Sequence, residues 1–167
     1  MNYTSAQAAK ALSKLQQDYE RIAMQEGNSK TFLASIGEDV ESVRPEYNYE
    51  TTKDRLSALE RKIRKIKHAI NTFNTNTVIP DFNMTIDEML IYIPQLSRKK
   101  AKLKEMADTL PKSRYESYER TNIIDYKYIN YDLVTVRNDL DAVTEELSNA
   151  QLALDLINHT AVIDIDM

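Results

Sequence analysis

Seven basic side chains, Lys53, Arg55, Arg61, Lys62, Arg64, Lys65 and Lys67, fall within fifteen residues, and five more, Arg98, Lys99, Lys100, Lys102 and Lys104, within seven. Stripes of this kind neutralise phosphates, and the tyrosines that follow at 115, 118, 126, 128 and 131 supply rings on which bases stack. Against that chemistry stand a net charge of −4 and an acidic stretch long enough to cover the basic one. Salt-bridged helix packing is therefore the favoured reading of the basic stripes, and nucleic-acid binding the runner-up. Asp155 and His159 share a helix face at a spacing of four, as two metal ligands would, but no third ligand is fixed beside them. His68 points away from the apolar stripe of its helix. Carboxylates gather at Glu38, Asp39 and Glu41, at Asp87 and Glu88, at Asp139 and Asp141, and at Glu145 and Glu146. None has the paired, differently polar pockets that acid–base catalysis needs. The chain has no cysteine and two well-separated glycines, which removes thiolate chemistry and phosphate-cradling glycine loops. No enzyme, metal or cofactor is expected.

These residues sit on a repeating frame. Tyr49, Thr52, Leu56, Leu59, Ile63, Ile66, Ile70 and Phe73 follow an alternating three-and-four spacing. So do Leu133, Val136, Leu140, Val143, Leu147, Ala150, Leu154 and Ile157. Each set is the seam of a long helix packed lengthwise against others. Charge is spread unevenly over the frame, with balances of −3 for residues 1–50, +7 for 51–115 and −8 for 116–167. The positive and the negative seam helices are thus expected to lie side by side. Each exposed ion pair contributes only about 0.2–1 kcal/mol, so apolar burial must hold the fold and charge only select neighbours.

Local signals divide the chain further. Thr4 with Gln7 forms a capping box opening a helix over about 5–25, ending near Gly27. In 28–48 the helical period is lost, and short strands are expected at Thr31–Leu33 and Val40–Val43, with Gly37 as a turn and Pro45 as a breaker. Asn48 caps a second helix over about 49–75, followed by an extended Val78–Pro80. Thr85 with Glu88 caps a third through about Leu110, where Pro94 predicts a kink or restart and Pro111 a stop. Alternation predicts a strand over roughly 122–129. Asp132 caps a fourth helix over about 133–159, and 161–165 reads as a strand.

Sliding the chain by 84 places without gaps superimposes Leu12 on Leu96, Ala23 on Ala107, Leu56 on Leu140, Ala69 on Ala153, Asn74 on Asn158 and Val78 on Val162. That offset predicts a helix–extended–helix–extended unit occurring twice, as residues 1–83 and 84–167, related by a pseudo-twofold within a single helical domain. The polar run Asn71–Thr77 lies between apolar segments. Its amides, Asn71 and Asn74, together with Asn158, are expected to close helices and fix register, with small-ligand recognition as the lesser alternative.

At Lys67-His68-Ala69-Ile70-Asn71, with Asn74 and Thr77, the chain resembles the septicolysin-like family of uncharacterised bacterial proteins. Asp155-Leu156-Ile157-Asn158-His159-Thr160 is similar to that family's C-terminal helix end, and the likeness extends through Met84-Thr85-Ile86-Asp87-Glu88. The chain departs from the family's actinobacterial pattern in its longer 28–48 segment and its tyrosines. The resemblance implies a mainly helical fold without an established activity, and the family name a toxin-like role.

The reading as a whole is a mainly α protein, an antiparallel bundle of four principal helices in coiled-coil-like hairpins with short β segments. A non-enzymatic interaction or scaffolding role follows, with homodimerisation through the second and fourth helices and a further protein partner. Interface residues would be Ile63, Ile66, Ile70, Phe73, Leu140, Leu147 and Leu154, with Asn71, Asn74 and Asn158. No basic start with an apolar run is seen at the N-terminus and no stretch is long enough to span a bilayer, so a cytoplasmic protein without membrane contact is expected.

Overall fold

The computed structural model describes residues 2–115 and 124–165. Four helices carry the chain: α1 (Ser5–Ser29), α2 (Tyr49–Asn76), α3 (Ile86–Asp108) and α4 (Leu133–Thr160). Six short strands accompany them: β1 (Asn2–Thr4), β2 (Val78–Ile79), β3 (Met84–Thr85), β4 (Lys112–Tyr115), β5 (Asp125–Tyr128) and β6 (Val162–Asp164). The fold is mainly α with short antiparallel β segments, as its seams and caps predict.

Each helix starts where a side chain can satisfy its free amides. The Thr4 hydroxyl accepts from the Gln7 amide at 3.2 Å, and Gln7 Oε1 accepts from the Thr4 amide at 2.9 Å. Thr85 and Glu88 repeat that box at 3.2 and 2.7 Å. Asn48 Oδ1 caps α2 through the Thr51 amide at 2.9 Å, and Asp132 Oδ2 caps α4 through the Thr135 amide at 2.8 Å. α1 continues past Gly27 to Ser29, because one glycine costs a helix only about 1 kcal/mol. α3 runs unbroken through Pro94, so no restart occurs. Both Pro94 and Leu90 lie on the exposed side, where water can take the hydrogen bond that proline cannot make.

The strands form three two-stranded ribbons: β1 with β6, β2 with β3, and β4 with β5, all antiparallel. In the first, Thr4 faces Val162 and Tyr3 faces Ile163; in the second, Thr85 faces Val78 and Met84 faces Ile79. Thr4 and Thr85 are the two capping-box threonines, and Val162 and Ile163 stand 84 places after Val78 and Ile79. Both ribbons therefore join corresponding residues in the same register. The β2–β3 connection turns through Asn83 at φ 50°, a left-handed conformation that asparagine tolerates, with the Phe82 and Asn83 amides donating to the Ile79 and Pro80 carbonyls.

Two compact units result, Met1–Thr77 with Leu156–Met167, and Val78–Asp155. The closing strand of the first half-chain, β2, belongs to the second unit, and β6, that of the second half-chain, to the first.

In the first unit α1 and α2 pack antiparallel. Tyr19 Oη donates to Glu60 Oε1 at 3.2 Å and Tyr47 Oη to Glu26 Oε1 at 2.7 Å. Ala8, Ile66, Ile163 and Ile165 form its buried core, flanked by Tyr3, Leu12, Leu15, Ile70 and Phe73. Charge does not select the neighbour of α2 within its unit. Arg55, Arg61, Lys62, Arg64, Lys65 and Lys67 make no ion pair with any described residue, and the pairs Arg21–Asp18, Arg44–Glu41 and Lys53–Glu50 lie each within one segment, three residues apart. The partner of α2 within its unit is α1, selected by the apolar seam and the connecting chain rather than by charge.

In the second unit Ile86, Met89, Leu96 and Leu103 of α3 are buried, as are Val136, Val143, Leu147 and Ala150 of α4. The Tyr92 hydroxyl donates to the Glu146 carboxylate and the Tyr131 hydroxyl to the Met106 carbonyl at 2.8 Å, which sets α3 and α4 antiparallel.

The expected strands at Thr31–Leu33 and Val40–Val43 do not form. Residues 30–48 are a chain of turns that satisfy their backbone locally. The Ser35 amide donates to Glu38 Oε2 and the Ser42 amide to the Asp39 carbonyl, while Gly37 takes a φ of 89° that L side chains rarely adopt. β4, by contrast, is a strand that the apolar pattern does not announce. The predicted strand at 122–129 is found over 125–128; residues 122 and 123 lie outside the described residues.

Candidate functional site

Two surfaces hold the residues that can recognise something. The first is the seam between α1 and α2. Leu12, Leu15 and Tyr19 of α1, and Leu56, Leu59 and Ile63 of α2, are all only half-buried, although they occupy core positions of the three-and-four pattern. Of the eight α2 seam residues only Ile66 is fully enclosed. A helix pair has two sides, and the cluster around Ile66 together with Ile22 closes only parts of them. A groove of about 350 Å³ lies over the middle, lined by Gln16, Tyr19, Glu20, Glu60, Ile63 and Arg64. A second, of about 600 Å³, is lined by Ile22, Glu26, Tyr47, Thr51 and Arg55 among others. There the Glu26 carboxylate, accepting its hydrogen bond, pushes the Tyr47 phenol up to about 12, so that this hydroxyl stays a donor at any physiological pH.

Of the expected interface residues, Ile63, Ile70 and Phe73 are half-buried and Ile66 is buried at 0% exposure. On α4, Leu147 is buried and Leu140 and Leu154 half-buried, so the α4 seam is largely enclosed within its own unit. Asn71 is exposed, its carbonyl accepting from Thr75 Oγ1. Asn74 and Asn158 are half-buried, and Asn74 Oδ1 is enclosed without a hydrogen-bond donor among the described residues. His68 is exposed. Among the described residues no three histidine or carboxylate side chains gather as a metal site would require.

The second surface is the β4–β5 ribbon, of which the sequence gives the β5 strand and its tyrosines as stacking rings but not the pairing with β4. Lys112 faces Tyr128 and Arg114 faces Tyr126, and all four are exposed. Lys112 Nζ lies 4.1 Å from the Tyr126 ring centroid and 5.4 Å from that of Tyr128. The signal that locates this face is the reading of β4 in register with β5, for neither strand alone shows a basic-aromatic face.

Comparison with known proteins adds the fold. A functionally unknown conserved protein from Corynebacterium diphtheriae, whose crystal structure is known, is similar at a TM-score of 0.63 and 20% identity, over 98% of this chain and 100% of that one. At that identity the likeness is one of fold alone. No family model and no curated protein matches the chain. No described helix is long and apolar enough to cross a membrane.

Proposed function

We propose that this protein is a non-enzymatic helical scaffold of the bacterial cytoplasm that associates with a second copy of itself through the α1–α2 seam. The half-wet middle of that seam carries the reading. Six large side chains at core positions remain partly in water, whereas four of the corresponding positions in α3 and α4, Leu96, Leu103, Val143 and Leu147, are buried. Complete burial contributes about 1.5–3 kcal/mol for each such side chain, so a surface that completes it gains several. Of the two helices expected at the interface, α2 remains open and α4 is largely covered. Basic groups on α2 that pair with no described carboxylate, beside Glu20 and Glu60 at the groove, give an antiparallel second copy the opposite charges it needs at the rim.

The test is sedimentation velocity over a concentration series, on the wild type and on Ile63→Lys. A concentration-dependent dimer is expected for the wild type, and a monomer of unchanged helical circular dichroism for the variant. A wild type that sediments as a monomer at every concentration contradicts self-association.

A further inference from the structure

We propose that the exposed face of the β4–β5 ribbon is a stacking platform for single-stranded nucleic acid. A two-stranded ribbon wetted on both sides is marginally stable in water, and nothing in the apolar pattern of this one gives it a core to cover. Its register places Lys112, Arg114, Tyr126 and Tyr128 on one face, because directly paired residues share a face and successive residues alternate. The rings are 48% and 61% exposed, two positions apart on one strand, and the cations stand opposite them on the other. Lys112 and Arg114 make no ion pair with any described residue, and the charge of Lys112 lies over the faces of the two rings. Tyr115, Asp125 and Lys127 fall on the other face with Ser113.

The base of the ribbon is firm. The Ile129 amide donates to the Pro111 carbonyl at 3.2 Å, and Tyr131 holds the end of α3 through Met106. The ribbon therefore rises from the last three turns of α3. Those turns carry Arg98, Lys99, Lys100, Lys102 and Lys104 against Glu105 and Asp108, and none of the five cations is ion-paired with a described residue. Rings that are sequence-tolerant stacking surfaces, set opposite cations that no described carboxylate neutralises and beside a basic helix end, match a chain of bases and phosphates. An acidic protein would engage the cations but has no use for two adjacent open rings.

Fluorescence anisotropy of labelled fifteen-nucleotide oligo-dT and oligo-rU with the full chain tests the platform. Expected are binding at low salt, a loss of about tenfold or more in Tyr126→Ala/Tyr128→Ala, and near-retention in Tyr126→Phe/Tyr128→Phe. Lys112→Gln/Arg114→Gln is expected to flatten the slope of log affinity against log salt by about 1.4, from about 0.7 for each phosphate contact on a single strand. No binding at low salt overturns the proposal. So does a response of both tyrosine variants or of neither, or competition by polyglutamate as effective as by unlabelled oligonucleotide. Loss of binding in Arg61→Gln/Lys65→Gln with the ribbon variants unaffected overturns it too, by moving the site to α2.

Discussion

Helices α1 and α2 are joined by residues 30–48, a run of turns with Leu33 and Ile36 standing almost wholly in water, whereas α3 and α4 are joined by a ribbon of basic and aromatic residues. Around these connectors the two halves are alike. Each begins with a strand and a threonine capping box, ends with a 28-residue helix and a strand, and pairs its strands with those of the other half in one register. We propose that this likeness is an internal duplication whose frame has been kept while its connectors diverged. The contrast teaches where to look for specificity: in what a half has that its counterpart lacks, namely the ribbon in one and the open seam in the other.

The comparison can be broken most severely at the cores. Ile66→Ala in the first unit and Met89→Ala in the second each empty a fully buried site, and each is expected to cost about 2–5 kcal/mol in denaturant unfolding. If the seam of the first unit is completed by a second copy, the stability of Ile66→Ala will rise with protein concentration as its dimer forms. That of Met89→Ala will rise in parallel, since both variants keep the open face.

Next come the hydrogen bonds that tie each helix pair. Tyr92→Phe removes the partner of the part-buried Glu146 and is expected to cost about 1–2 kcal/mol. Tyr19→Phe frees Glu60 at an exposed site and is expected to cost clearly less than Tyr92→Phe. Equal costs in thermal unfolding would show the two pairs to be equally enclosed.

The caps allow a finer comparison. Thr4→Ala and Thr85→Ala should each cost about 1 kcal/mol. Their partners differ in one respect that pH reveals. Glu88 accepts from the Thr85 amide and hydroxyl, which hold its carboxyl below its ordinary value, whereas Gln7 does not titrate. A carboxyl lowered in the folded state stabilises above its unfolded value, and that contribution is lost as pH falls through the folded one. Glu88→Gln is therefore expected to reduce the loss of stability between neutral and acid pH and to make the second cap behave like the first. At the other extreme, Tyr47 is raised to about 12, so its contribution is complete below 10.0 and fades as pH climbs through 10–12. Tyr47→Phe should flatten the alkaline limb of the stability curve.

Much of this frame is legible in the residues. Threonine and asparagine caps with their partners three places on fix the helix starts, and the three-and-four seams fix their lengths. The 84-place offset anticipates that β2 and β6 correspond. Which helix lies against which is not legible, because the seams of α2 and α4 have the same spacing and exposed charge contributes too little to choose a neighbour. The turns of 30–48 read as strands because Phe32, Leu33, Val40 and Val43 are good strand formers. Glu38, Asp39 and Gly37 nevertheless supply local hydrogen bonds and a left-handed turn that no neighbouring strand competes with. β4 has the opposite character: Lys112-Ser113-Arg114-Tyr115 is polar throughout and becomes a strand through β5. The basic-aromatic face exists only once that pairing is known.

The open seam is tested most directly by exploiting the absence of cysteine. A single Ile63→Cys substitution places the chain's one thiol in the groove between α1 and α2, and Leu152→Cys places it instead on an exposed face of α4. Maleimide labelling at Cys introduced at 63 is expected to be slow at high protein concentration and to accelerate on dilution, while labelling at 152 stays fast throughout. Equal, concentration-independent labelling at both positions would contradict the claim that a second copy covers this seam.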